Sequence, residues 1–493
     1  MTDPIVQTTA GAVRGRWRTD EDGNASAAFL GIPFAEPPVG PLRFEAPVPH
    51  GPWEGVRDAG EMGATPQRRP FAEVTAIPEP SFPGDSTLNV NVFTPSPSPE
   101  RAAEKLPVLV WIHGGGFIAG SPASPWYDGR AFTRDGVVTV NVSYRLGFDG
   151  FGWIPDAPTN RGMRDWLLAL EWVRANIAAF GGDPDRVTIG GQSAGGGAVL
   201  HLLAMEQAQH LFHRVLAISP SAPAVPAGVA ERLARRMAEL IGVEPTRAGF
   251  ATIADEDLRD LVDRAASTGD DSPTAQVKAL LGGSTSGPMI DGDLVPRPVA
   301  ESLARGIGAD KPLVLGATDE EFSGAFAPMR DRLRVVPARM LLRRLGLPAP
   351  VRGAYVQANL DVRARGVAAI AGRYVTDVVF RAPSLQAARN RVGSLTWLYR
   401  FSWRSSVSGF AEHCLDIPFW FDCLADHDVP ALAGPSAPQS LATELHGRAV
   451  AFIAQGDPGW PTWNTLSQTD RVFDASSFDE TGGYAGVAPL LDA

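Results

Sequence analysis

Gly191-Gln192-Ser193-Ala194-Gly195 is the stretch best placed to do chemistry. The β-branched run Val187-Thr188-Ile189 leads into it and small residues follow, which is how a strand, a tight elbow and a helix start are written. Such an elbow holds the serine in a sparsely allowed backbone conformation. Side chains two residues to either side would collide with the neighbouring strand and helix, so glycine is needed there. The hydroxyl then stands proud of a sheet edge, above the positive end of a helix. The chemistry this permits is nucleophilic acyl transfer. It requires a base within reach of the hydroxyl, an acid that fixes the base's tautomer, and donors for the developing oxyanion.

The donors are the most legible of the three. Trp111-Ile112-His113-Gly114-Gly115-Gly116-Phe117 ends an apolar run with three glycines, which leave backbone N–H groups open to a substrate. The N–H groups of Gly115, Gly116 and Ala194 would form a three-donor oxyanion hole, each donor contributing ~2.7–4 kcal/mol in the transition state. Eight histidines compete for the base. His113 braces the glycine loop; His201, His210 and His213 follow the elbow too closely, and His50 precedes the sheet. The order serine, acid, histidine expected of this elbow leaves His413, His427 and His446. For the acid, Asp319-Glu320-Glu321 follows a short apolar run, and only one of the three need point inward. Asp291 and Asp293 are alternatives but read as turn formers.

The elements that must position these groups alternate along the chain. Ile5 to Arg16 reads as a small antiparallel hairpin around Gly11 and Gly15. Leu88 to Val92 alternates like a strand, and Leu106 to Ile112 and Val137 to Val142 are continuous apolar runs, as in strands covered on both faces. Asn160 to Phe180 has helical spacing at Met163, Trp166, Leu167, Leu170, Val173 and Ile177, and Gly181-Gly182-Asp183-Pro184 stops it. Val215 to Ile218, Leu313 to Gly316 and Leu395 to Phe401 read as further strands, and Pro288 to Asp293 as a tight turn. Arg232 to Ile241, Leu258 to Ala266 and Gln439 to Ile453 read as helices, and residues 329–391 as mostly helical and arginine-rich. Gly456 to Trp463 reads as a proline–tryptophan loop. The proline–serine stretch 95–100 reads as a surface loop. Strands alternating with helices over the whole length predict one doubly wound, mostly parallel α/β sheet.

Composition bounds the partners. The 493 residues are 44% hydrophobic with a formal net charge of −11, which argues against nucleic acid or an anionic membrane as a partner. No run approaches the ~20 apolar residues of a spanning helix, and Met1-Thr2-Asp3-Pro4 does not open a signal peptide. The two cysteines, Cys414 and Cys423, read as reduced thiols of a cytoplasmic protein. Neither has metal-ligand spacing with histidine, so no metal and no cofactor are expected.

Four further motifs accompany the elbow: Gly31-Ile32-Pro33-Phe34-Ala35-Glu36-Pro37-Pro38-Val39-Gly40, the run His113 to Phe117, Asn141-Val142-Ser143-Tyr144-Arg145-Leu146-Gly147, and Asn176-Ile177-Ala178-Ala179-Phe180-Gly181-Gly182-Asp183-Pro184. Together, and in this order, they resemble the type-B carboxylesterases, the family of para-nitrobenzyl esterases and cholinesterases. The resemblance runs from the N-terminal hairpin to the loop near Trp463. It implies an α/β-hydrolase fold with a large mostly parallel central sheet, helices on both faces and an N-terminal antiparallel hairpin. It implies a single domain over residues 1–493, with helical lid or pocket-forming insertions at about 222–311 and 329–391. Carried onto matching positions, it implies Ser193 as nucleophile, Glu321 as acid, His413 as base, Gly115, Gly116 and Ala194 as oxyanion hole, and Ser221 as a buried serine beside the acid. Phe322 stands where the family usually has glycine, and Asp85-Ser86-Thr87 where secreted members have Glu-Asp-Cys, so the first family disulfide is absent.

The expected activity is therefore hydrolysis of a small-molecule carboxylic ester through an acyl-enzyme, with an amide, carbamate or lactone as the alternative bond. A non-catalytic binding module on this fold is disfavoured because serine, histidine and acid are all present. Phe117, Phe322, Trp397 and Phe410 are the candidates for the pocket wall. The chain is expected to work as a monomer or small homo-oligomer.

Overall fold

A computed structural model describes residues 2–19, 23–67, 70–72, 75–97, 105–267, 269, 277–278, 280–281 and 285–491. Eleven strands form one mixed sheet in the order β16-β15-β14-β13-β10-β9-β7-β8-β6-β4-β3. Their ranges are β3 Arg16–Thr19, β4 Ala25–Pro33, β6 Asn89–Thr94, β7 Leu106–Ile112, β8 Val138–Val142, β9 Gly182–Gln192, β10 Arg214–Ile218, β13 Leu313–Thr318, β14 Thr396–Phe401, β15 Thr469–Phe473 and β16 Phe478–Thr481. The middle of the sheet, from β8 to β15, is parallel, and antiparallel strands flank it on both sides. The predicted N-terminal hairpin is β1 Ile5–Gln7 against β2 Ala12–Arg14, extended by β5 Val56–Asp58. This is the α/β-hydrolase fold.

The buried strands are apolar on both faces because each face carries its own helical layer. Val108, Val110 and Ile112 of β7 point into one core, with Met163, Trp166, Leu170 and Val173 from the helix Arg161–Asn176. The alternate residues Leu109 and Trp111 point into the other, with Leu441, Leu445 and Phe452 of the helix Gln439–Gln455. The period of two along the strand thus distributes one apolar run between two cores. The helix at Asn160 ends where expected: Ile177–Phe180 tightens into a 3-10 turn and Gly181 takes a φ of 84°.

One sequence expectation changes. Within the turn expected at Pro288–Asp293, Met289–Ile290 is a short strand, β12, parallel to β11, Val225–Pro226. Asn160 holds it from both sides, through Oδ1 to the Met289 N–H and Nδ2 to the Met289 carbonyl. The loop expected over 95–100 falls partly outside the described residues. Among the described residues no helix is long and apolar enough to cross a membrane.

Candidate active site

The C-terminal ends of β7, β9 and β13 converge on one cavity of about 770 Å³. β9 delivers Ser193 into it. The residue has φ 58° and ψ −121° and immediately precedes the helix Ala194–Leu203. A conformation of this kind costs on the order of 1–3 kcal/mol and persists only where its surroundings fix it. Here they do. A Cβ on Gly195 would overlap the Ile112 carbonyl, and one on Gly191 would overlap the Gly195 backbone. The Ser193 N–H donates to Ile218 O at 3.0 Å, and Ser193 O accepts from the N–H groups of Gly197 and Ser221.

β7 delivers the glycine loop. Gly115 and Gly116 have φ of 109° and 63°, the left-handed region, and with Ala194 they line the cavity beside Ser193. His113 does brace this loop. Its ring stacks on Tyr144 at 4.6 Å and its Nδ1 bonds Gly114 O at 2.8 Å. Burial lowers its pKa to about 4, so it stays neutral.

β13 delivers the carboxylates. All three are buried, yet they serve different partners. Asp319 accepts from Arg400 and from Ser402 Oγ. Glu320 accepts from Arg365, Arg404 and the Ala411 N–H. Glu321 accepts from the Thr318 N–H at 2.9 Å through Oε1, and its Oε2 contacts His413 Nδ1. Backbone bonds from Glu320 N to Ala411 O and from His413 N to Glu321 O clasp the two loops together. On the far side of the ring, His413 Nε2 lies 3.0 Å from Ser193 Oγ. Burial disfavours charge on this ring, while the Cys414 sulfur and the Glu321 carboxylate favour it, and the balance raises its pKa well above the ordinary histidine value.

The rival candidates serve elsewhere. His427 is exposed beside Asp428. His446 is buried between Asp135 and the Trp420 carbonyl. Asp291 ties β12 to Thr159 and Asn160, and Asp293 pairs with Arg164.

Of the pocket candidates, Phe117 and Phe322 line the cavity. Trp397 does not. The alternation along β14 turns it into the core against the helix Gln439–Gln455, where it meets Phe452 edge-on and its Nε1 donates to Trp460 O. Phe410 is half-buried beside the wall residue Gly324 and outside the wall itself. Ser221 is half-buried in the wall of the same cavity as Glu321, and its N–H is bonded to Ser193 O.

Sequence reasoning missed three contacts to His413. Phe322 stacks on the His413 ring at 5.4 Å, although it was singled out only as a pocket candidate. Phe380, in a π-helical turn at Asp377–Arg381, lies 4.8 Å from the same ring. Gln192, immediately before Ser193, places its amide 3.2 Å from His413 Nε2. Adjacency to Ser193 was the available signal for Gln192; Phe380 had none. Cys414 and Cys423 are both free thiols. Among the described residues, no group of three or more His, Cys, Asp or Glu could hold a metal ion.

Residues 2–477 match the Carboxylesterase family. The chain is 31% identical to the para-nitrobenzyl esterase of Bacillus subtilis (strain 168) over 96% of each chain. It is 32% identical to the phenmedipham hydrolase of Pseudarthrobacter oxydans over 95% of this chain and 94% of that one. Among solved structures, a thermophilic PNB esterase superposes with a TM-score of 0.84 at 29% identity, over 99% of this chain and all of the other. A Geobacillus stearothermophilus carboxylesterase superposes with a TM-score of 0.82 at 29% identity, over 98% and 99%.

Proposed function

The chain belongs to the carboxylesterase family and hydrolyses carboxylic esters; from that premise we propose that Ser193, His413 and Glu321 are its nucleophile, base and acid. The observation that carries this assignment is the unbroken series of contacts from Ser193 Oγ to His413 Nε2 and from His413 Nδ1 to Glu321 Oε2 in the lining of the cavity. Ser193 Oγ bonds to the ester carbonyl carbon while its proton passes to His413 Nε2. Glu321 holds Nδ1–H in place and stabilises the imidazolium. The N–H groups of Gly115, Gly116 and Ala194 receive the oxyanion. Collapse breaks the bond to the alcohol oxygen, which leaves with the proton from Nε2. Water then repeats the sequence on the acyl-enzyme and releases the acid.

The cavity wall supports an uncharged organic ester. Leu281, Val378, Val379 and Phe380 line it and come from the segments 222–311 and 329–391, which we assign as pocket-forming insertions of one domain. The free thiols Cys414 and Cys423 favour a cytoplasmic address, where thiols stay reduced. The test is labelling with an organophosphonate followed by peptide mapping. The label is expected on Ser193 alone, and loss of ester hydrolysis is expected to track its incorporation. Labelling elsewhere, or full activity of Ser193→Ala, would overturn the assignment.

A further inference from the structure

Gln192 ends β9 and is buried, so both halves of its amide need partners or incur the cost of desolvation. Its Nε2 lies 3.2 Å from His413 Nε2 and 3.3 Å from Cys414 Sγ. Its Oε1 lies 3.0 Å from the place a Cβ on Gly114 would take. One N–H thus faces the sulfur and the other faces the base nitrogen. That nitrogen carries one in-plane lone pair when the ring is neutral, because the proton sits on Nδ1 toward Glu321. Ser193 Oγ, at 3.0 Å, and the Gln192 amide therefore converge on the same lone pair.

The two donors respond oppositely to protonation. The serine hydroxyl can surrender its proton to Nε2 or accept a bond from it. An amide N–H can only donate, so it bonds the neutral ring and opposes the charged one. We propose that Gln192 is a positioning residue that counterweights Glu321, its amide favouring the neutral His413 ring and so easing delivery of the Nε2 proton to the leaving alcohol. With its Nε2 toward the base, the proton taken from Ser193 meets no fixed acceptor in this amide. The imidazole lone pair keeps this orientation, since a flipped amide would set Oε1 against it, and Cys414 Sγ accepts from the same amide nitrogen at 3.3 Å. Cys414 itself has φ 71°, a left-handed conformation uncommon outside glycine, which aims its sulfur at this point.

The other groups facing His413 are Glu321 from the β13 loop, with Asp416 and Cys414 from its own loop; Phe322 and Phe380 add no charge. Tyr127 reaches the cluster through Cys414. Asp416 matters for the measurement, because burial pushes its carboxyl up to about 7 and it titrates in the same range.

The inference rests on the triad assigned above, and the pH profile of kcat/KM for a chromogenic acetate ester tests it. In Gln192→Met, which keeps the length and loses the N–H, the acid limb is expected to move up by about half a unit to one unit. In Gln192→Glu it is expected to move up by more than about one unit. Both shifts should persist in an Asp416→Asn background, which removes the competing titration. A limb that stays put or moves down in Gln192→Met overturns the proposal, as does a shift that vanishes with Asp416→Asn. Should Gln192→Met fail to fold, Gln192→Leu reads the same limb without the N–H: upward movement supports the proposal and no movement overturns it. An unmoved limb with Ser193→Ala inactive sinks this inference alone; an active Ser193→Ala sinks the triad beneath it.

Discussion

The two halves of the active site are built by opposite means. The nucleophile half, at the ends of β7 and β9, is backbone: glycines whose missing Cβ atoms let Ile112, Gly195 and Ser193 pack within contact distance. The acid–base half, at the ends of β13 and β14, is side chain: carboxylates, guanidiniums and one imidazole in a buried polar lattice. Close packing tolerates no added volume, whereas a charge lattice tolerates volume but not an unbalanced charge. The first half should fail by steric displacement and the second by electrostatics, and substitutions can separate the two.

The largest effect should come from the atom the halves share. Ser193→Ala is expected to lower kcat by on the order of 10⁶-fold with an unchanged fold, read by ester hydrolysis alongside thermal melting. On the electrostatic side, Glu321→Gln should cost on the order of 10⁴-fold, because a neutral amide no longer fixes the tautomer of His413. Glu320→Gln, one residue away, should instead leave kcat within about tenfold and lower stability by about 1.5–3 kcal/mol, since its partners are Arg365 and Arg404 rather than the base. Equal kinetic losses in these two variants would erase the distinction between neighbouring carboxylates.

On the backbone side, Gly115→Ala should cost on the order of 10²–10³-fold in kcat with little change in KM, because the new Cβ overlaps the Ala119 carbonyl and displaces the oxyanion donors. Its acid limb should match that of the parent; a shifted limb would show the halves to be coupled.

The smallest effects are in pH. With the His413 pKa raised in the fold, the acid limb of kcat/KM should lie above the value of about 6.5 for a free imidazole, and Glu321→Gln should lower it. The same shift makes stability linked to pH. The contribution from His413 is fully present below about 6.5 and is lost as pH rises through the folded value. Asp319 has the opposite sign. Burial raises its pKa, but Arg400 and Arg373 overcome this and hold it well below the carboxylate range. Its contribution is present above about 3.9 and is lost as pH falls toward the folded value, which denaturant titrations from pH 7 to 2 would resolve.

The elbow, the glycine loop and the positions of the central strands were legible in the chain because each depends on neighbours within a few residues. Gly191 and Gly195 flank Ser193 at fixed spacing whatever the rest of the fold does, and the alternation of β7 between two cores requires only an apolar run. Other features depended on distant segments. Three adjacent carboxylates look alike in sequence, and nothing local says that Arg400 takes the first, Arg365 and Arg404 the second, and His413 the third. That division follows from the register of β13 against β14 and from the backbone clasp between residues 320–321 and 411–413. Trp397 looked like a pocket residue by its position near motifs, yet strand alternation turned it inward.

By itself the sequence determined where the strained elbow at Ser193 and the glycine loop at Gly114–Gly116 lie, since both are written locally. Only the tertiary structure decided which carboxylate meets the base, which rings hold it, and that the Gln192 amide shares its lone pair. Those contacts join residues 33 to 221 positions apart, and a pairing at that range is set by sheet register and loop packing rather than by any neighbour in the chain.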